Sequence, residues 1–87
     1  MRSIQFNPSA LKAFIEISKN NASFKRTAML LKEIMREPTK GAGKPEPLKH
    51  QLSGLWSRRI NQKDRIVYAF DDQTIYVYAI GGHYDDN

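Results

Sequence analysis

The chain contains no cysteine, which excludes disulfides and thiolate metal sites. It has no apolar run approaching the roughly 18 residues that a membrane-spanning helix needs. The opening Met-Arg-Ser-Ile-Gln-Phe carries no apolar stretch of signal-peptide length. Together these point to a cytoplasmic protein with no membrane association. Its two histidines, His50 and His83, stand far apart with no carboxylate at ligand spacing, so no metal site is expected. Gly41-Ala42-Gly43-Lys44 lacks the remaining residues of a phosphate-binding loop and no helix follows it; no cofactor is expected. Ser53 and Ser57 have no triad arrangement around them. At 87 residues the chain has room for one domain and one modest core, burying roughly 60–65% of the unfolded surface.

Negative charge is also in short supply. Nine Asp and Glu face 14 Lys and Arg, a net charge of +5. Such a surface concentrates polyanions around itself and speeds encounter with them. Nucleic acid or a ribonucleoprotein surface is the partner class this balance favours over simple solubility.

Residues 2–6 alternate polar and apolar, which predicts a short strand. Asn7-Pro8 reads as an N-cap and first helical position. Leu11, Phe14 and Ile15 recur at helical spacing and predict a helix over residues 8–19, ended by Asn20 and Asn21. A second helix is predicted over residues 22–36, with Phe24, Ala28, Leu31, Ile34 and Met35 as its apolar stripe, terminated by Pro38. Residues 39–47 hold two glycines and two prolines and read as a loop. Residues 48–52 have room for one short helical turn. From Leu55 the period becomes two, and residues 55–60, 65–70 and 74–80 predict three strands joined by tight turns. The order strand, helix, helix, strand, strand, strand describes an α+β domain with a helical hairpin against an antiparallel meander.

Parity inside the meander assigns faces. Trp56 and Ile60 match Ile66, Tyr68 and Phe70, because antiparallel partners share a face. Arg59 and Arg65 then become near neighbours on the face the helices leave open. Like charges side by side on a sheet repel unless they share an anion. Arg58, by the same parity, falls on the covered face or its rim, where a salt bridge with Glu33 or Glu37 is expected.

Other chemistry-bearing groups gather around these arginines. Glu46 lies between Pro45 and Pro47, which stiffen its backbone toward extended conformations; it reads as a positioned base or as a solvated loop carboxylate. Lys49 is a point charge able to reach a phosphate oxygen, or part of an exposed basic patch. His50, close to Leu48 and Leu52, is more often a structural residue than a base. His83 and Tyr84 follow Gly81-Gly82, which permit a tight turn. They offer a proton-transfer imidazole and a stacking ring, or a frayed tail.

The run Gly-Lys-Pro-Glu-Pro-Leu-Lys-His-Gln-Leu-Ser-Gly-Leu-Trp-Ser-Arg-Arg-Ile, then Arg-Ile-Val-Tyr, then His-Tyr, resembles the YoeB/Txe family of bacterial toxins in the RelE superfamily of toxin–antitoxin systems. The resemblance is dense over residues 43–68, with His83-Tyr84 in addition. It implies a RelE-like fold, two helices packed on one face of a twisted antiparallel sheet. It implies a metal-independent endoribonuclease that enters the ribosomal A site, cuts the messenger there and so inhibits translation. On that resemblance Glu46 is the general base for the ribose 2′-hydroxyl and His83 the general acid for the 5′-oxygen. Arg65 stabilises the transition state, Lys49 and Arg59 contact phosphate, and Tyr84 orients the substrate. The implied partners are the ribosome, messenger RNA and a YefM/Axe-like antitoxin whose acidic, partly disordered segment folds over the basic face; a homodimer is expected by analogy. The fold alone also admits a ribosome-binding inhibitor that does not cut, or a gyrase-directed toxin.

Overall fold

The structure, a computed structural model, describes residues 1–82. Strand β1 (Ser3–Phe6) leads into helix α1 (Pro8–Ile17). Asn7, in extended backbone, accepts the Ala10 N–H at 2.8 Å, and Pro8 occupies the first turn where its missing N–H costs nothing. Helix α2 (Asn21–Arg36) starts in the same way, with Asn20 accepting the Ser23 N–H at 3.0 Å. Asn20 therefore opens the second helix rather than closing the first, and α1 stops at Ile17, short of residue 19. Glu37 leaves the helix with φ of −148° and ψ of 89°, outside the helical region, as the following proline favours. The remaining elements are β2 (Glu46–Pro47), a single 3-10 turn (His50–Leu52), β3 (Trp56–Arg59), β4 (Arg65–Phe70) and β5 (Thr74–Gly81).

The five strands form one sheet in the order β1-β5-β4-β3-β2. It is antiparallel from β2 to β5, as expected, but mixed overall, because β1 runs parallel to β5 along the free edge. The meander occupies the other flank of β4, so the free edge of β5 is where β1 can pair. Arg2 anchors it there, its Nε donating to the Asp71 carbonyl at 2.6 Å. The expected loop over residues 39–47 also yields a fifth strand. β2 is two residues long and lies at the sheet edge, where Pro47 needs no ladder N–H. Between β4 and β5 the register slips by one residue near Tyr68, leaving Tyr78 bulged and exposed. Asn7 Nδ2 donates to the Tyr78 carbonyl at 3.0 Å, tying the start of α1 to that bulge.

The core lies between helices and sheet. Ala10, Leu30, Leu31 and Ile34 meet Ile66, Tyr68, Ile75, Val77 and Ile80. The expected stripe of α1 is rotated: Leu11 and Ile15 are 46% and 58% exposed, while Ala10 is fully buried. Phe14 belongs to both possible faces, and the small Ala10 side chain lets α1 approach β5 closely. On α2 the buried set also includes Thr27 and Leu30, which were not part of the apolar stripe read from the sequence.

Thr27 carries a cost. Its hydroxyl is buried without a hydrogen-bond partner among the described residues. An unsatisfied buried hydroxyl costs about 1–3 kcal/mol. Thr27→Val keeps the shape and removes the polar atom. It is expected to stabilise the fold by about 1 kcal/mol, a melting-temperature rise of roughly 4–8 °C for a domain of this size. Thermal unfolding followed by circular dichroism checks this; an unchanged or lower midpoint means that the hydroxyl is satisfied.

Candidate functional site

The covered face of β3 supplies the support for the site. Arg58 is completely buried, yet all five of its N–H groups are used. Nη1 donates to Glu33 Oε1 at 2.5 Å and to the Ala42 carbonyl at 3.2 Å. Nη2 donates to the carbonyls of Glu37 and Lys40, both at 2.6 Å. Nε donates to Tyr68 Oη at 3.3 Å, and the Tyr68 hydroxyl in turn donates a hydrogen bond to the Pro38 carbonyl. Burial raises the Tyr68 pKa above its ordinary value, with the Arg58 hydrogen bond and charge acting in the opposite direction. The expected ion pair is with Glu33; Glu37 contributes its backbone instead. The loop from residue 37 to 42 is thereby fastened to the sheet, and it delivers the chain into β2.

The face turned away from the helices carries the chemistry; Glu46 and Arg59 are exposed on it, while Ser57 and Val67 are buried. β2 pairs with β3 so that Glu46 lies opposite Ser57, and Ser57 lies opposite Val67 of β4. One row further along, Arg59 lies opposite Arg65, which in turn lies opposite Gly81 of β5. The expected arginine pair is thus a direct cross-strand pair. Glu46 shares its face, offset by two residues along β3, roughly 7 Å. Arg65 is half-buried and leans toward the Glu46 row, its Nη1 donating to Ser57 Oγ at 3.4 Å. Glu46 and Arg59 are exposed. Among the described residues, no carboxylate forms an ion pair with either arginine.

Lys49 and His50 are not part of these rows. Both are exposed and sit at the tip of the β2–β3 connection, around the 3-10 turn. His50 adopts a left-handed backbone with φ of 60°, uncommon for a residue with a side chain. His83 and Tyr84 lie outside the described residues. β5 brings the chain as far as Gly81, whose φ of 130° suits glycine, directly opposite Arg65. Among the described residues no three His, Cys, Asp or Glu side chains are placed to hold a metal ion. No helix there is long and apolar enough to cross a membrane.

Reading the sequence missed three contributors. Ser57 shares the Arg59 face by strand parity, but nothing in the sequence marks it as a hydrogen-bond partner of Arg65. Lys44 and Arg26 join Arg59 around a groove of about 350 Å³. Arg26 and Lys44 are far from Arg59 along the chain; the Arg26–Ile60 and Arg59–Gly43 hydrogen bonds bring them together. An edge carboxylate beside paired guanidiniums can take a proton on one side of a phosphodiester while cations hold its oxygens.

Known proteins carry the same arrangement of sequence and backbone. The family model described as "YoeB-like toxin of bacterial type II toxin-antitoxin system" matches residues 6–84. "Toxin YoeB" of Mycobacterium bovis is 40% identical over 85 residues, covering 97% of this chain and all of that protein. Among solved structures, the YoeB dimer from Staphylococcus aureus superimposes with a TM-score of 0.85 at 39% identity, covering 95% of this chain and 98% of that one. The YoeB–YefM complex from the same organism gives 0.85 at 40% identity, over 97% and 99%. The likeness read over residues 43–68 therefore extends into the helices. With its fold and its sequence matched over nearly the whole length, the chain belongs to the YoeB-like toxins of bacterial type II toxin–antitoxin systems.

Proposed function

We propose that this toxin is an endoribonuclease that cuts messenger RNA in the ribosomal A site and so stops translation. The observation that carries the reading is the Arg59–Arg65 cross-strand pair on the face it shares with Glu46. Two like charges held side by side with no carboxylate partner among the described residues suit an anion that spans them.

The reaction needs neither metal nor water in its first step. Glu46 takes the proton from the ribose 2′-hydroxyl as O2′ bonds to phosphorus. The bond from phosphorus to O5′ breaks, and His83 supplies a proton to the departing oxygen. The products are a 2′,3′-cyclic phosphate and a 5′-hydroxyl end. Arg65, with Arg59 beside it, meets the charge that grows on the phosphoryl oxygens. Lys49 contacts phosphate from the β2–β3 connection, His50 is a lesser candidate there, and Tyr84 orients the substrate. The fixed loop behind Glu46 helps to hold the base in place.

Relatives indicate the partners. The Staphylococcus aureus protein is seen as a dimer and in complex with YefM. By extension this chain takes a YefM-like antitoxin, whose acidic segment covers the basic open face, and forms a homodimer. The test is to add purified protein to translating ribosomes with a defined messenger and map the 3′ ends, with wild type, Glu46→Gln and His83→Gln side by side. New ends at the A-site codon, lost in both variants, are expected. Stalled ribosomes with intact messenger in all three samples identify a blocker that binds without cutting; inhibited gyrase with unaffected ribosomes identifies a different target.

A further inference from the structure

We infer that the groove lined by Arg26, Lys44 and Arg59 is a second phosphate subsite, which holds a phosphodiester of the same RNA strand next to the one that is cut. The inference rests on the nuclease reading for the identity of its ligand, but on independent geometry for the site.

The groove has a volume of about 350 Å³, and three of its lining residues are cations while none is a carboxylate. Among the described residues the ion pairs are Lys19 with Glu16 and Arg58 with Glu33, so none of the three groove cations is neutralised there. Its walls are built rather than loose. Arg26 reaches from α2 to the end of β3, where its Nε donates to the Ile60 carbonyl at 3.2 Å. Among the described residues its two terminal nitrogens have no hydrogen-bond partner and are available to a ligand. On the opposite wall the Arg59 N–H donates to the Gly43 carbonyl at 2.7 Å. Gly43 has φ of 83°, and a Cβ there would stand 2.8 Å from the Arg59 carbonyl oxygen, so this close approach requires glycine. Lys44 follows with φ of 52°, a left-handed conformation that lysine rarely adopts and that costs on the order of 1 kcal/mol or more. Arg58 fixes the loop just before it through the carbonyls of residues 37, 40 and 42. A strained lysine on an anchored loop, opposite a pinned arginine, is a preformed cradle for an anion.

Arg59 connects the two places. It lies opposite Arg65 on the sheet and also lines the groove. A strand whose reacting phosphate sits on Arg65 therefore passes Arg59 and meets Lys44 and Arg26 next. A free phosphate ion has no reason to require that continuity; a polynucleotide does.

The experiment measures equilibrium binding of a short, 2′-O-methylated single-stranded RNA to the full chain by fluorescence anisotropy, from 50 to 200 mM salt. The methyl groups prevent cleavage. Arg26→Gln/Lys44→Gln is expected to bind more weakly and to flatten the slope of log K against log salt by about 0.7, the share of one single-strand phosphate. Lys12→Gln, which removes an exposed charge on α1 away from the groove, is expected to keep the wild-type slope. Lys44→Gly serves as a second variant, since glycine relieves the left-handed strain. It should melt no lower than wild type and still lose affinity, which a purely structural lysine would not show. Wild-type affinity and slope in the double variant overturn the proposal. So does unchanged RNA binding with weakened binding of an acidic peptide, which marks a protein-docking site. If the slope falls as expected but no messenger is cut on ribosomes, the subsite stands and the nuclease reading fails; cleavage with an unchanged slope gives the reverse.

Discussion

Arg58→Ala is expected to lower stability by about 3–5 kcal/mol, the range found when one partner of a buried ion pair is removed. That is a large part of the 5–15 kcal/mol that typically holds a domain together. The substitution strips donors from Glu33, from the Ala42, Glu37 and Lys40 carbonyls and from Tyr68, and it opens a cavity in a fully buried position. The melting temperature should fall by on the order of 20 °C, or the cooperative transition should vanish. Glu33→Gln is expected to be milder. Its amide oxygen still accepts from Arg58 and the Ala42 N–H, and the Glu33 side chain is one-third exposed, so water softens the lost charge. Urea denaturation of both variants orders them. An Arg58→Ala melting temperature within a few degrees of wild type means that the loop over residues 37–42 is held by something else.

Glu46→Gln is expected to reduce cleavage by about 10²–10⁴, the usual worth of one proton-transfer group, with little change in folding or RNA affinity. Glu46 is exposed, and its place in the sheet depends on backbone pairing with Ser57, which glutamine preserves. Single-turnover cleavage separates rate from binding. An equal loss in rate and affinity would instead make Glu46 a binding residue, and an unchanged rate would assign the base to another group, with His50 next in line.

Much of this was legible from local signals. Asn7-Pro8 marked α1, Pro38 marked the end of α2, and the matched parity of Trp56 and Ile60 with Ile66, Tyr68 and Phe70 assigned the faces of β3 and β4. From that parity alone came Arg59 and Arg65 as neighbours on one face and Arg58 on the covered face or its rim. What stayed hidden depends on tertiary choice. Leu11 and Ile15 fit a helical stripe as well as Ala10 and Ile17 do, and only packing on β5 decides between them. The partner of β1 lies at the far end of the chain. β2 is two residues among prolines, indistinguishable from loop until β3 pairs with it. Arg26, Lys44 and Arg59 share no spacing, so their groove exists only in the fold. His83 and Tyr84 remain assignments by resemblance, outside the described residues.

The central claim is attack by the 2′-hydroxyl, and one substrate tests it directly. A messenger carrying a single 2′-deoxynucleotide at the mapped cleavage position, read by the same ribosomes with the same toxin, should show no cut at that codon. The matched all-ribose messenger should be cut to a 2′,3′-cyclic phosphate. Cleavage of the deoxy-substituted messenger at the same position would contradict the mechanism and the role given to Glu46.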